Sequence, residues 1–220
     1  MATTVEATTR DQAAPPITTT PWYRDYRRQL MVAIAVAAAA AIVGWFLLES
    51  GKRKEQFAAR SLNQARAAAE AGNLPLASSE LQRLITTYKG TDAASEAVIA
   101  LNQVRMINGQ SELAAVGLRE YLAAKPAKKY VAPAYGLLGA ALENSKRWAE
   151  AAEAYTQASN ASEVEYLKAN YLVDAGRAYR QGGKTQEAER AYRTILEKYP
   201  KSPSFTEAQV RLAELTEGKM

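Results

Sequence analysis

The chain has 220 residues, a formal charge of +5 at pH 7, no cysteine and no histidine. The missing cysteine excludes disulfides, zinc fingers and thiol nucleophiles, and the missing histidine removes the commonest general base and metal ligand. Carboxylates, lysine, tyrosine and serine are the catalytic groups that remain.

Residues 1–21 are rich in threonine, alanine and proline and contain almost no large apolar side chain. Such a segment buries too little surface to offset the entropy cost of ordering. We predict a disordered tail here, followed at residues 22–50 by an interfacial segment and a transmembrane helix.

Leu30 to Leu48 form a run of nineteen residues without a charge. As a helix this run measures about 28 Å, close to the thickness of the hydrocarbon core of a bilayer. Aromatic residues suited to the two interfaces lie at its ends, with Trp22, Tyr23 and Tyr26 before it and Trp45 near its end. The run is too long for a signal peptide, and soluble helices of this length rarely lack a polar face. We therefore predict an uncleaved single-pass anchor.

Small residues share one side of this helix: Ala33, Ala37, Ala40, Ala41 and Gly44. Ala40 and Gly44 have the small-xxx-small spacing that lets membrane helices pack closely. We predict a helix-packing face here, although an alanine-rich helix also produces such spacings by chance.

The basic residues near the anchor do not decide its orientation. Within about twenty residues of the run, four arginines precede it and five lysines or arginines follow it. Long domains translocate largely regardless of charge, so we predict that the N-terminus stays inside and the larger C-terminal part is exported.

A repeat of 37 residues follows a predicted juxtamembrane linker at 51–56, occupies residues 57–217 and precedes a tail at 218–220. Its anchor points are the alanines Ala77, Ala114, Ala151 and Ala188. Large side chains follow four residues later, at Leu81, Leu118, Tyr155 and Tyr192. Turn positions lie five residues before each alanine, at Gly72, Gly109, Lys146 and Gly183. Mostly small residues lie twelve before, at Ala65, Asn102, Gly139 and Gly176.

Such a period predicts a stacked array of two-helix units. The helices of each unit meet at the turn position, the small residues allow the backbones to approach, and the large side chains fill the layer between units. Pro126 and Pro200 follow the second helices of their units, where the chain must reverse.

The last two units resemble tetratricopeptide repeats. In the fourth unit the matching residues are Leu172, Gly176, Tyr179, Gly183, Ala188, Tyr192 and Pro200, and in the third they are Tyr135, Leu138, Gly139, Trp148, Ala151 and Tyr155. The period is three residues longer than the family's 34. The resemblance implies an α-solenoid of about four hairpins with a capping helix at Ser204 to Thr216. Together with the N-terminal transmembrane helix predicted from the apolar run, this gives an all-α fold.

The architecture also resembles the YfgM-like ancillary subunits of the bacterial Sec translocon, with a short leader, Gly44-Trp45 at the end of the anchor and a divergent first repeat. This resemblance implies a scaffold or adaptor at the periplasmic face of the inner membrane, associated with the translocon or with chaperones. The alternative is a structural accessory subunit of a large membrane complex, for example a respiratory or photosynthetic assembly.

On the family pattern the concave groove would be lined by Gln103, Met106, Glu143, Asn144, Asn170, Arg177 and Arg180. Arg177 and Arg180 would suit an acidic segment or a C-terminal carboxylate, because guanidinium forks match carboxylates. A solvated face without a ligand is the open alternative. The expected partners are membrane or periplasmic proteins and the lipid bilayer.

No catalytic motif is present. Gly182-Gly183-Lys184-Thr185 lies at a repeat turn and lacks the upstream glycine of a phosphate loop. Basic residues are interspersed with glutamate instead of forming a stripe, which argues against nucleic acid. We predict no enzyme activity, no cofactor, no metal and no small-molecule substrate.

Overall fold

The computed structural model describes residues 26–216, which fall into two units divided between Ser50 and Gly51. The predicted tails at 1–21 and 218–220, and the anchors Trp22 and Tyr23, lie outside the described residues. All regular secondary structure within residues 26–216 is helical. The helices are α1 (Arg27–Glu70), α2 (Leu74–Thr87), α3 (Asp92–Ile107), α4 (Ser111–Ala123), α5 (Lys128–Asn144), α6 (Trp148–Ala161), α7 (Glu165–Gln181), α8 (Thr185–Lys198) and α9 (Ser204–Leu215).

Helix α1 runs through the predicted linker at 51–56 without a break. A single Gly51 costs only about 1 kcal/mol of helix propensity. The residues that follow it, lysine, arginine, glutamate and glutamine, are strong helix formers. The linker segment is therefore helical.

The first unit consists, within the described residues, of Tyr26 and the N-terminal part of α1. None of its apolar side chains is buried, and Leu48 is 70% exposed. The predicted anchors Tyr26 and Trp45 are exposed as well. By length and composition, α1 is the one helix of the described part of the chain that could cross a membrane.

The second unit is built from four hairpins and a closing helix. The part of α1 after Gly51 pairs with α2, and α3–α4, α5–α6, α7–α8 and the single α9 follow. We refer to α1, α3, α5 and α7 as the first helices of the hairpins and to their partners as the second helices. The closing helix matches the predicted cap to within one residue.

A left-handed backbone residue closes each hairpin turn. The φ angle is 78° at Gly72, 73° at Gly109 and Gly183, and 59° at Lys146. Glycine adopts this conformation freely, whereas an L side chain costs about 1–2 kcal/mol. The four predicted turn positions are confirmed, and Lys146 occupies one of them at a steric cost.

The 37-residue register also defines the core. The four repeat alanines have no exposed surface, and the large side chains four residues later are at most 4% exposed. Burying each of these leucines and tyrosines contributes about 1.5–3 kcal/mol. The buried side chains form three successive clusters, over α1–α3, α4–α7 and α7–α9, so each hairpin packs mainly on its neighbours.

The small residues of the first helices receive the large residues of the second. A Cβ atom on Gly139 would lie 2.7 Å from the ring of Tyr155, and one on Gly176 would lie 2.6 Å from the ring of Tyr192. These distances are shorter than real Cβ contacts. In both hairpins a tyrosine ring of the second helix therefore packs directly on the backbone of a glycine of the first helix.

The N-termini of the helices are capped by local and distant side chains. Asn73 accepts a hydrogen bond from the amide of Leu76 (3.2 Å), and Thr91 accepts one from Ala94 (3.1 Å). The Glu55 carboxylate on α1 accepts the amides of Asp92 and Ala93, each at 2.9 Å. A carboxylate is favoured at a helix N-terminus, so these hydrogen bonds stabilise the start of α3. Because Glu55 lies on α1, they also link the first hairpin to the second.

Candidate partner-binding site

The predicted groove residues lie on three consecutive first helices. Gln103 and Met106 are on α3, Glu143 and Asn144 on α5, and Asn170, Arg177 and Arg180 on α7. Gln103, Asn144 and Asn170 are exposed, whereas Met106 is partly buried against the central core cluster. The structure brings Glu143 and Arg177 into direct contact.

Arg177 is held by two carboxylates of its own chain. Its Nε and one Nη donate to Glu143 at 3.1 Å each, and its other Nη lies 3.0 Å from Asp174. The Tyr155 hydroxyl donates to the same Glu143 carboxylate at 2.8 Å. This group of four side chains, the α5–α7 ion cluster, ties the third hairpin to the fourth.

The electrostatics of this cluster follow from partial burial. The hydrogen bonds to Glu143 raise the pKa of the Arg177 guanidinium above its ordinary value. Burial raises the pKa of Asp174 above its ordinary 3.8, although the Arg177 charge acts against the shift. Burial also raises the pKa of Tyr155, and the neighbouring Glu143 charge adds to the increase. At neutral pH Arg177 is therefore charged and Tyr155 remains a hydrogen-bond donor.

Arg180 is the more available of the two predicted arginines. It forms one hydrogen bond, from Nη1 to Glu214 on α9 at 2.8 Å, and its side chain is 46% exposed. A guanidinium has five N–H donors, so most of the donors of Arg180 remain open to a ligand. Arg177 can take a ligand carboxylate only by sharing or exchanging Glu143 and Asp174.

Two cavities lie outside the predicted groove, beside the connections between hairpins. One of about 440 Å³ lies between the start of α5 and the α6–α7 connection and is lined by Lys128, Pro133, Val164 and Tyr171 among others. The second, of about 420 Å³, lies between the start of α7 and the α8–α9 connection. Its lining includes Val164, Tyr166, Lys198, Tyr199, Pro200 and Lys201.

These cavities are equivalent in the repeat. Lys129 and Ser162 line the first cavity, and the residues 37 positions later, Tyr166 and Tyr199, line the second. Neither cavity was predicted from the sequence, although proline beside lysine in two connections, at Lys125-Pro126 and Pro200-Lys201, was an available signal. No cluster of three or more carboxylates able to hold a metal occurs within residues 26–216.

Comparison with known proteins identifies the fold. A tetratricopeptide repeat family matches residues 130–201, which contain the third and fourth hairpins except for the first two residues of α5. The crystal structure of the MamA protein is 21% identical, with a TM-score of 0.57 over 74% of this chain and 82% of that one. The fold is a tetratricopeptide-repeat-like solenoid.

Two further structures have the same repeat architecture. A tetratricopeptide repeat protein from Parabacteroides merdae is 14% identical, with a TM-score of 0.58, and the match covers 74% of this chain and 61% of that one. A putative kinesin light chain from Podosopora anserina, with nearly identical tetratricopeptide-like repeats, is 20% identical, with a TM-score of 0.56 over 72% and 84%. No curated protein sequence matches the chain. The helical repeats form a scaffold suited to protein–protein interaction.

Proposed function

We propose that this protein is a single-pass membrane adaptor that holds protein partners at the periplasmic face of a bacterial inner membrane. The observation that carries the proposal is the apolar run of α1, none of which is buried, in a chain whose remaining helices form a tetratricopeptide-repeat-like solenoid. Exposed apolar surface of this size is unfavourable in water and favourable in a bilayer.

The charges of the predicted groove would suit an adaptor role. Arg180 offers unused donors, and Arg177 lies one helical turn away on the same helix. An acidic segment or a C-terminal carboxylate would be recognised by these guanidinium groups. The association with a translocon or with chaperones rests on the resemblance in architecture, and the exported orientation rests on the length of the domain.

The test is a pull-down of the full-length protein from its native membrane in mild detergent, with mass spectrometry of the proteins recovered. Recovery of translocon subunits or exported clients at sub-stoichiometric levels is expected. The variant Arg177→Ala/Arg180→Ala should lose groove-bound partners while its helical circular dichroism is unchanged. Arg190→Ala/Arg193→Ala on α8 is the matched control, because it removes two arginines from a second helix. Equal recovery from both variants would rule out the groove as the contact.

The structural-subunit alternative is favoured by one observation on α1. The predicted packing face at Ala33, Ala37, Ala40 and Ala41 is exposed, and a Cβ on Gly44 would meet nothing within 4 Å. Such a face can receive another membrane helix. Recovery of membrane proteins at fixed stoichiometry, lost on Ala40→Leu/Gly44→Leu, would establish this alternative in place of the adaptor.

A further inference from the structure

The lysines of this chain are concentrated at one edge of the repeat array. We define the loop edge as residues 51–55 of α1 together with the four connections between hairpins, 88–91, 124–127, 162–164 and 199–203. Each connection is taken with the last residue of the helix before it and the first two residues of the helix after it. Eight of the twelve lysines of the chain lie there: Lys52, Lys54, Lys89, Lys125, Lys128, Lys129, Lys198 and Lys201. The opposite edge, at the four hairpin turns, contains only Lys146 and Lys184.

Contacts from each segment to the next show that these segments share one edge. The Lys54 ammonium donates to the Lys89 carbonyl at 2.8 Å, and Glu55 binds the start of α3. Lys129 pairs with Asp92 at 2.6 Å, which joins the α2–α3 connection to the start of α5. Lys128 then pairs with Glu163 at 2.6 Å, and the second cavity joins residues 164–166 to residues 198–202.

The carboxylates of the loop edge are largely engaged. Glu55 accepts two backbone amides, Asp92 pairs with Lys129, and Glu163 pairs with Lys128. Among the described residues, Glu165 and Glu197, which precedes Lys198, form no ion pair. Six lysines of the edge have no carboxylate of the described chain within ion-pair distance: Lys52, Lys54, Lys89, Lys125, Lys198 and Lys201. The loop edge therefore presents a surplus of unpaired positive charge.

The arginines have the opposite role in this domain. Eight of them form ion pairs with the chain's own carboxylates: Arg66, Arg83, Arg119, Arg147, Arg177, Arg180, Arg193 and Arg211. Arginine has a rigid planar fork, whereas lysine is a hydrated point charge on a flexible stem. Unpaired lysines spread along an edge fit a surface of many mobile phosphates better than one fixed carboxylate. This distribution favours a lipid surface over an acidic protein.

Exposed apolar and aromatic side chains accompany the lysines. Val164 is 42% exposed and Tyr166 is 56% exposed, and both line the cavities of the loop edge. Tyrosine combines an apolar ring with a polar tip and is enriched at membrane interfaces. In addition, Lys52 follows Leu48 by four residues, so chain connectivity alone keeps it within about 14 Å of the end of the apolar run.

We propose that the loop edge binds the anionic headgroups of the membrane in which the protein is anchored. The inference rests on the proposed membrane span. The lysines would attract the phosphate layer, and Val164 and Tyr166 would enter the interfacial region between headgroups.

The absence of cysteine permits a direct test with the full-length protein in lipid nanodiscs. A fluorophore is placed on Val164→Cys at the loop edge or on Gln110→Cys at an exposed hairpin turn as the matched control. Quenching by a headgroup-attached quencher is measured in phosphatidylcholine alone and with about 30% phosphatidylglycerol, which supplies the negative surface potential. Co-elution with the nanodisc is checked first.

With phosphatidylglycerol, quenching at position 164 should exceed quenching at position 110 by at least about threefold and should fall in about 0.5 M salt. Lys198→Gln/Lys201→Gln should reduce the excess by about half or more, whereas Lys146→Gln/Lys184→Gln at the opposite edge should not. Equal quenching at both positions in co-eluting protein, or quenching independent of phosphatidylglycerol, would overturn the inference alone. If the chain does not enter nanodiscs, the span and the inference both fail. If the loop-edge lysines instead capture acidic proteins with no lipid dependence, the edge is a protein-binding surface and the inference is wrong.

Discussion

The first hairpin and the last two hairpins fill the same space with different residues. In the third and fourth hairpins a glycine on the first helix faces a tyrosine ring, as Gly176 faces Tyr192. The first hairpin has Ala65 and Leu81 at the equivalent positions, and both are buried in one cluster. A larger residue on the second helix is matched by a smaller one on the first, which keeps the interior filled.

This difference accounts for where the family similarity lies. The tetratricopeptide family matches residues 130–201, the part of the chain with glycine–tyrosine pairs. The first two hairpins keep the spacing and the buried alanines but use alanine–leucine and asparagine–leucine pairs. The geometry of the fold is thus preserved over a longer part of the chain than the family's residue pattern.

The largest effect is expected from Gly176→Leu. The new side chain would overlap the Tyr192 ring, which a Cβ alone would approach to 2.6 Å. We expect a loss of about 3 kcal/mol or more in the free energy of unfolding, measured by denaturant titration with circular dichroism. Gly51→Leu is the control, since a Cβ at Gly51 meets nothing within 4 Å. Equal stability of the two variants would contradict the packing described for the fourth hairpin.

The second prediction converts the fourth hairpin into the form of the first. Gly176→Ala should cost about 1–3 kcal/mol, because the methyl group collides with the Tyr192 ring. Adding Tyr192→Leu recreates the alanine–leucine pair of the first hairpin and should lower the cost of Gly176→Ala by at least about 1 kcal/mol. A double-mutant cycle measures this coupling. Additive effects would show that the two positions are independent.

A smaller gain is expected from Lys146→Gly. Lys146 has φ of 59° at a position where the other three hairpins have glycine. Removing the side chain relieves left-handed strain but adds freedom to the unfolded chain, so we expect a net gain of about 0.5–1 kcal/mol. Gly183→Lys is the reciprocal change and should lose a similar amount. A melting temperature of Lys146→Gly below that of the parent would contradict this account.

The smallest effect concerns pH and the α5–α7 ion cluster, which belongs to the third and fourth hairpins only. Because burial raises the pKa of Asp174, the folded state holds its proton more tightly than the unfolded chain. The contribution of Asp174 to stability therefore falls as pH rises through and above 3.8. The melting temperature of Asp174→Asn minus that of the parent should therefore be larger at about pH 7 than at about pH 3.

Glu150→Gln is the control for this pH experiment and should show the opposite sign. The hydrogen bond from Arg147 lowers the pKa of Glu150, so its contribution is present above the unfolded pKa and is lost as pH falls. Relative to the parent, this variant should lose more stability at about pH 7 than at about pH 3. Parallel pH profiles for the two variants would show that these carboxylates do not differ in environment.

Features that depend on spacing along the chain could be predicted from the sequence. The turn at Lys146 was predicted by register although lysine is not a turn residue, because Gly72, Gly109 and Gly183 fix the period. The burial of the repeat alanines followed from the same period.

Features that depend on contacts between hairpins could not be predicted in the same way. Periodicity predicted close helix approach at Gly139, but it did not show that the Tyr155 ring fills that space. Nor did it show that Arg177 and Arg180 bind carboxylates 34 residues away, since long flexible side chains can choose among several partners. The loop edge was missed because its lysines lie in separate segments that only the fold brings together.

Duplication or deletion of one 37-residue unit would affect the contacts within hairpins and the ion pairs between hairpins differently. The contacts within a hairpin, such as Gly176 with Tyr192, would be copied intact if the unit were duplicated. The pairs between hairpins differ from one junction to the next, as Asp92–Lys129, Glu143–Arg177 and Arg180–Glu214 show. Duplication or deletion of a unit would thus preserve each hairpin and mismatch the charges at its borders. The contacts within a hairpin would therefore tolerate a change in its position along the array, whereas the ion pairs between hairpins depend on their order.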